Sequence, residues 1–343
     1  MADCVLSVSI AAYNVSATLD QALAPFLNKA VLPYIDVMIV DDGSKDDTAA
    51  IAKRYESQFP GSFRLISKEN GGWGSTVNTG IAEARGKYFK LLDGDDHFSY
   101  ENLPGFIAFL QTTDADMIHT PFIQFKDGTG EVIGEKAGYN SDGCSRAVLH
   151  QTVRIDACGD YFPAMHCLTV KTEILRRNNI SIMEHCFYTD LEYAIKTYNC
   201  CETICFYQEP IYCYRLARDG QSMSISGARK HYKDHLRMLK NILRFSREEV
   251  LDPYKKTNVD RRILLACVWQ YHFFFALERT KEEKRELQAF DGFLKKEYPD
   301  VYKEVNGKLI KLLRKTHFTG YIILASLKMQ KDKRLKRFFY EGI

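Results

Sequence analysis

The sequence predicts an α/β protein, with a mostly parallel, doubly wound sheet in its first two thirds and a helical region after it. Three observations lead there. Short, largely apolar runs recur at residues 5–10, 35–40, 63–67 and 88–92, and the run 35–40 shows no alternation, which fits a strand buried on both faces, as in parallel sheets. Helical patterns and short loops separate these runs, and strands alternating with helices build a parallel sheet. After about residue 226 the pattern turns to helices alone. The 343 residues suffice for two domains, at roughly 150 residues each. Hydrophobic residues at 45% and charged residues at 27% exclude disordered and fibrous classes.

The elements follow in order. The first strand ends at Ala11-Ala12-Tyr13-Asn14, before a helical pattern over 16–27. The second ends at Asp41-Asp42-Gly43-Ser44, and Asp46-Asp47-Thr48 caps a helix running to about Tyr55. The third leads into the glycine-rich loop Asn70-Gly71-Gly72-Trp73-Gly74-Ser75 and a helix over 76–84. The fourth ends at Asp93-Gly94-Asp95-Asp96. In open α/β sheets ligands bind beyond the carboxyl ends of the strands, so these strand ends predict one site on one edge. Residues 126–142 read as an exposed hairpin or loop. Helices are expected over 231–245, 261–277 and 281–298, punctuated by Pro253 and Pro299. Phe273-Phe274-Phe275, with Trp269 and Tyr271, reads as core packing.

Asp93, Asp95 and Asp96 place three carboxylates within four residues. Like charges that close raise each other's pKa unless a cation neutralises them. Hard oxygen ligands with an incomplete shell suit Mg2+ or Mn2+, with phosphate and water completing it. The alternative is a helix cap, with Asp96 before a turn at 99–103. Asp41 and Asp42 can accept hydrogen bonds from a base or a ribose, or can serve only the turn. The cluster Cys200-Cys201-Glu202-Thr203-Ile204-Cys205 lacks paired CxxC spacing and reads as thiols in an apolar strand, not a zinc site.

These motifs together resemble family 2 glycosyltransferases of the GT-A fold. The resemblance is carried by residues 8–14, by Val40-Asp41-Asp42-Gly43-Ser44 continuing to Thr48, and by Glu69-Asn70-Gly71-Gly72. Asn78-Thr79-Gly80-Ile81, residues 84–88 and Leu92-Asp93-Gly94-Asp95-Asp96 complete it in the family's order. A weaker likeness continues to about residue 226. The resemblance implies a GT-A nucleotide-diphospho-sugar transferase fold over 1–225. Its donor-binding half would be about 1–98 and its acceptor half about 99–225, with a helical region over 226–343. It also implies a nucleotide-sugar donor, UDP by default, a divalent metal and transfer with inversion. Tyr13, beside Ala12, would stack near the base. Asp41 or Asp42 would hold base and ribose, Asp93 would touch the ribose, and Asp95, with Asp96, would bind the metal. Asn70, Gly71, Asn78 and Gly94 fall on donor-side motif positions. Asp190 in Tyr188-Thr189-Asp190-Leu191-Glu192 matches the catalytic base, with Glu192 as the fallback. Thr189 stands where the family often has Glu, and Val77 where many members carry Arg. Arg215 and Arg218, in a stretch that reads as a mobile cationic lid, are candidates for the leaving diphosphate.

Charge supplies a last expectation. Residues 308–343 hold ten Lys/Arg and two Asp/Glu, a local +8; the net +3 leaves −5 on the preceding 307 residues. A basic tail beside Tyr321-Ile322-Ile323-Leu324 suits an anionic membrane surface and a lipid-linked acceptor, or a solvated helix packed on the catalytic domain. Nucleic acid is not an expected partner. The first residues lack a basic region and an apolar core of the export type, and ten cysteines then read as reduced thiols. Together these predict a cytoplasmic protein, either free or at the inner face of the cell membrane. Two rival functions are a sugar-nucleotide nucleotidyltransferase, for which no GxGTR-type loop is found, and a non-catalytic nucleotide-sugar-binding scaffold.

Overall fold

A computed structural model describes residues 4–137, 150–216, 225–249 and 251–331. The strands are β1 (Leu6–Ala12), β2 (Ile35–Asp41), β3 (Phe63–Ser67), β4 (Tyr88–Asp93), β5 (His97–Phe98), β6 (Met117–His119), β7 (Phe122–Lys126), β8 (Val132–Lys136), β9 (Thr152–Arg154), β10 (Leu168–Lys171), β11 (Thr203–Phe206) and β12 (Tyr212–Leu216). Eight form one sheet in the order β3-β2-β1-β4-β10-β6-β11-β9, and four form a second, β5-β12-β7-β8. β3, β2, β1 and β4 run parallel, while β10 lies antiparallel to both β4 and β6. This is the mixed, largely parallel α/β sheet that the apolar runs predict. Helices α1 (Leu19–Leu23), α2 (Thr48–Gln58), α3 (Trp73–Glu83), α4 (Leu103–Thr112), α5 (Thr172–Arg177) and α6 (Asp190–Cys200) accompany it.

Local chemistry explains where elements depart from expectation. The helix expected over 16–27 is shorter: α1 ends at Leu23 and a 3-10 turn, Ala24–Leu27, takes over with Pro25 near its start. Proline has no N–H to donate to the preceding turn, so the α ladder stops there. At α2 the capping oxygen comes from Asp46, which accepts from the Thr48 N–H at 3.0 Å, while Asp47 makes no side-chain cap. α3 begins at Trp73, inside the glycine-rich loop. The hairpin expected in 126–142 is β7–β8, and the part beyond residue 137 lies outside the described residues. The core on one side of the sheet is aromatic, with Phe26 edge-on to Phe63 and Phe98 at 6.5 and 5.5 Å.

The chain divides into two compact units, Met1–Leu216 with Leu251–Asn258, and Ala217–Val250 with Val259–Ile343. Leu251–Asn258 belongs to the first through polar contacts: Lys255 Nζ lies 2.8 Å from Glu202, and Asn258 donates to Tyr198 OH at 3.0 Å. In the second unit, the helices are α7 (Ile225–Glu248), α8 (Pro253–Ala276, from Val259 on), α9 (Lys281–Glu297), α10 (Pro299–Glu304), α11 (Lys308–Lys315) and α12 (Tyr321–Lys331). Phe273, Phe274 and Phe275 are buried there, as core packing requires. Thr280 and Glu283 form a reciprocal capping box at the start of α9.

Arg314 is the polar centre of that second unit. It donates to Asp291 Oδ1 at 2.7 Å, to Tyr271 OH at 3.1 Å, and to the carbonyls of Tyr302 and Val305 at 2.9 and 2.7 Å. Removing one partner of an enclosed ion pair strands the other charge. Arg314→Leu is therefore expected to destabilise the chain by about 3–5 kcal/mol, measured by urea unfolding. A loss within experimental error would show that the pair contributes nothing.

Candidate active site

The carboxyl ends of β1, β2 and β4 form one rim because the strands are parallel neighbours. Ala12 is in register with Asp41, and Ala11 with Asp93. The loops leaving β1 and β2 are laced together. The Asn14 N–H donates to Ser44 Oγ at 3.0 Å, and Asn14 Oδ1 accepts from the Lys45 N–H at 2.8 Å. Asn14 takes the left-handed region, φ 52°, which asparagine tolerates. That turn leaves Ala12 buried and Tyr13 half exposed at the rim.

Asp41 and Asp42 separate into two roles. Asp41 accepts from the Ser44 N–H at 3.0 Å, closing the turn. The Asp42 carboxylate accepts from Lys68 Nζ at 2.9 Å, the Gly71 and Gly72 N–H groups at 2.9 and 2.8 Å, and Ser75 Oγ at 3.2 Å. Asn70 donates to the Asp42 carbonyl at 2.9 Å. Four donors fill a carboxylate, so Asp42, Asn70 and Gly71 fix the glycine-rich loop to the end of β2. Asn78, expected on the donor side, turns its amide the other way. It accepts from the Ile182 N–H at 2.7 Å and donates to the Ile182 carbonyl at 2.9 Å. α3 is thereby clamped to the segment leading to Asp190. Gly74 allows the contact, since a Cβ there would lie 2.1 Å from the Met183 carbonyl oxygen.

The acidic turn is built from three sides. Gly94 donates to the Ala11 carbonyl at 3.1 Å, and a Cβ on it would come within 2.9 Å of that oxygen and of Val15. Only glycine fits so close to β1. The Asp93 carboxylate receives the Trp73 indole N–H at 2.7 Å. Tyr212 OH donates to Asp96 Oδ2 at 2.6 Å and accepts from the Asp93 N–H at 3.2 Å, while the Arg215 N–H reaches Asp96 Oδ1 at 2.7 Å. Asp96 is therefore held by β12 and does not cap a helix; α4 starts after Asn102.

Arg215, expected in a mobile lid, is a buried residue of β12. Its guanidinium donates to the Asp95 carbonyl at 2.5 Å, to Asp127 at 2.7 Å and to Gln21 at 2.6 Å, and packs over Phe125 at 4.8 Å. It braces the acidic turn from below. Arg218 lies outside the described residues.

Asp93, Asp96 and His166 bring their ligating atoms within 4.8 Å of one another. Antiparallel β10 carries the His166 turn to β4, and Lys90 of β4 pins it by donating to the His166 and Leu168 carbonyls at 2.9 and 3.1 Å. Enclosure and then the neighbouring Asp95 charge push Asp93 up to about 7, against the Trp73 hydrogen bond, with Asp190 adding to the rise. Enclosure and the charges of Asp95 and Asp93 also hold Asp96 well above the carboxylate range. Burial, with Lys90 nearby, lowers His166 to about 4. Two crowded carboxyls and a neutral imidazole fit a divalent cation, which would reverse the repulsion.

Asp190 is exposed at the first turn of α6, and its charge reaches Asp93 and Tyr214. Glu192, the fallback base, is fully buried; it accepts from the Met183 N–H at 3.1 Å and pairs with Lys196 at 2.7 Å. It holds the segment in place. His185 and Tyr188 both adopt positive φ, 50° and 65°, bending this segment into Asp190. Trp73 sets its ring edge-on to Tyr193 of α6 at 6.5 Å, so one side chain touches both Asp93 and the Asp190 helix. Sequence reasoning missed Trp73, His166 and Tyr212. Trp73 is already visible in the glycine-rich loop, whereas His166 and Tyr212 arrive only through strand pairing.

A raised carboxyl pKa is a stability cost above the unfolded value. In the metal-free protein, ionising Asp93 is disfavoured by folding, so this site loses stability as pH rises from about 4 through about 7. In chelator, Asp93→Asn should therefore melt above the wild type at pH 8, and the gain should shrink as pH falls toward about 4. A variant that melts lower at pH 8 would contradict the crowding.

Comparison with known proteins agrees with this geometry. Residues 7–155 match the family model "Glycosyl transferase family 2". The minor teichoic acid biosynthesis protein GgaB of Bacillus subtilis is 30% identical over 128 residues, covering 36% of this chain and 14% of that protein. The chain thus spans a small part of that relative. Among solved structures, S. aureus TarS 1–349 in complex with UDP-GlcNAc aligns with a TM-score of 0.69 and 18% identity, over 95% of this chain and 92% of that one. The mannosyltransferase PcManGT from Pyrobaculum calidifontis, in complex with GDP-Man and Mn2+, aligns with a TM-score of 0.53 and 14% identity, over 96% and 87%. Residues 7–155 are thus similar to family 2 glycosyltransferases, and the chain shares the fold of TarS.

Proposed function

We propose that the chain is an inverting, metal-dependent glycosyltransferase. It moves a sugar from a nucleotide-diphospho-sugar, with UDP as the nucleotide, to a hydroxyl of a glycan or lipid-linked acceptor in surface-polysaccharide synthesis. The observation that carries this reading is the crowded Asp93-Gly94-Asp95-Asp96 turn at the end of a central strand, within electrostatic reach of Asp190. GgaB's name and the donors bound by TarS and PcManGT support the substrate class.

The roles follow from position. Tyr13, half exposed beside Asp41 at the rim, offers a face for the base, and Asp41 accepts from base or ribose. Asp93, oriented by the Trp73 N–H, would contact the ribose and lend an oxygen to the cation. Asp95, Asp96 and His166 complete the donor set for Mg2+ or Mn2+. Such an ion, when bound, would neutralise the leaving diphosphate. Asp190 takes the proton from the acceptor hydroxyl as its oxygen forms the new bond on the face opposite the diphosphate, which leaves with its electron pair.

Asp190→Asn is expected to lower kcat by about 10²–10⁴-fold while donor affinity, read by calorimetry, stays within about twofold. The assay is release of UDP from UDP-sugars with Mn2+ and a glycan acceptor. Wild-type turnover in this variant would remove Asp190 from the chemistry.

A further inference from the structure

Among the described residues, α12 packs with one of its faces. Tyr321 and Ala325, four apart, are both fully buried, and Tyr321 OH donates to the Phe274 carbonyl at 2.5 Å. The opposite side bears Ile322, Ile323 and Leu327, exposed by 57%, 68% and 42%. Residues 323 and 327 share a face, one turn apart, with 322 flanking it. A helix that ends its contacts at water places polar side chains there. This one presents three large aliphatics, and Leu312 of the preceding α11 is exposed as well.

The charge around them is of one sign. Residues 308–331 contain six Lys/Arg and no Asp/Glu. Arg314 turns inward to Asp291, whereas Lys308, Lys311 and Lys315 are exposed on α11. A second copy of this face would bring cations against cations, which disfavours self-association. Three aliphatics along one helix also make a small apolar area for a stable protein partner. Aliphatic side chains set among cations do match an anionic bilayer, which offers phosphates at the surface and hydrocarbon just beneath. None of the described helices is long and apolar enough to cross a membrane, so the match is to lying on the surface.

We propose that α11 and α12 dock the protein on an anionic lipid bilayer. Ile322, Ile323 and Leu327 enter the interfacial layer, and Lys308, Lys311 and Lys315 pair with lipid phosphates. This rests on the second unit alone and does not depend on the transfer reaction.

The test is cosedimentation of the full chain with vesicles of phosphatidylcholine, with or without one third phosphatidylglycerol. Wild type is expected to pellet with the anionic vesicles, to remain in solution with phosphatidylcholine alone, and to be released by about 0.5 M salt. Ile322→Ser/Ile323→Ser should weaken binding by about tenfold or more, and each of Lys308→Gln, Lys311→Gln and Lys315→Gln by about fivefold. Ile323→Trp gives an independent reading, a blue-shifted emission that appears only with anionic vesicles. Wild type that stays in solution overturns the proposal, as does undiminished pelleting of the double serine variant. Elution as a dimer that the serine variant splits, without vesicle binding, also overturns it and gives the face to a second copy. UDP-induced thermal shifts unchanged in all these variants separate this outcome from any failure of the transferase reading.

Discussion

Crowded negative charge at the end of β4 is the constraint on which the first unit is organised. Asp93, Asp95 and Asp96 lie in one turn, partly withdrawn from water, with the charge of Asp190 adding to theirs. Asp93 and Asp96 resist ionisation there, and a protein built only for stability would replace them. Here the surroundings fix them instead. Trp73 and Tyr212 supply hydrogen bonds, Gly94 lets the turn sit against β1, and buried Arg215 braces the Asp95 carbonyl. The repulsion is held in place, and the proposed cation with its diphosphate would relieve it.

The same economy explains the neighbouring parts. Asp42 binds the glycine-rich loop, Asn78 binds the segment that follows α5, and Glu192 holds that segment from α6. None of the three needs to meet a ligand to matter. Each helps to fix the segment that leads to Asp190, and the base proposed there would have to be within hydrogen-bond reach of the proton it takes. Lys90, fully buried and lowered to about 7 by that burial, pins the His166 turn through two carbonyls.

Much of the first unit was legible in the sequence. Short, largely apolar runs alternating with helical patterns predicted the parallel strands, and the turns at their ends predicted the rim, because both signals are local in the sequence. Asp41-Asp42 was recognised as a pair, but only the fold distinguishes the residue that closes a turn from the one saturated by four donors. Arg215 illustrates the limit of local reading. Tyr214-Arg215-Leu216, running on to Arg218-Asp219-Gly220, looks like a loop, yet pairing of β12 with β5 and β7 buries the arginine under the acidic turn. His166 and Tyr212 belong to segments more than sixty residues from Asp93, and no spacing rule connects them. In the second unit, helical periodicity placed α7 to α9. The Asp291–Tyr271–Arg314 network needed three helices to be brought together before it could be seen.

The central claim is that the acidic rim grips a cation carrying a nucleotide diphosphate. Crystals grown with UDP and Mn2+ test it most directly, through anomalous scattering at the manganese edge. The account predicts a single strong peak within coordination distance of the Asp93–Asp96 turn and His166, with both phosphates of UDP against it. UDP bound at the rim of β1 and β2 with no manganese at that turn, or manganese and UDP together elsewhere, would contradict it.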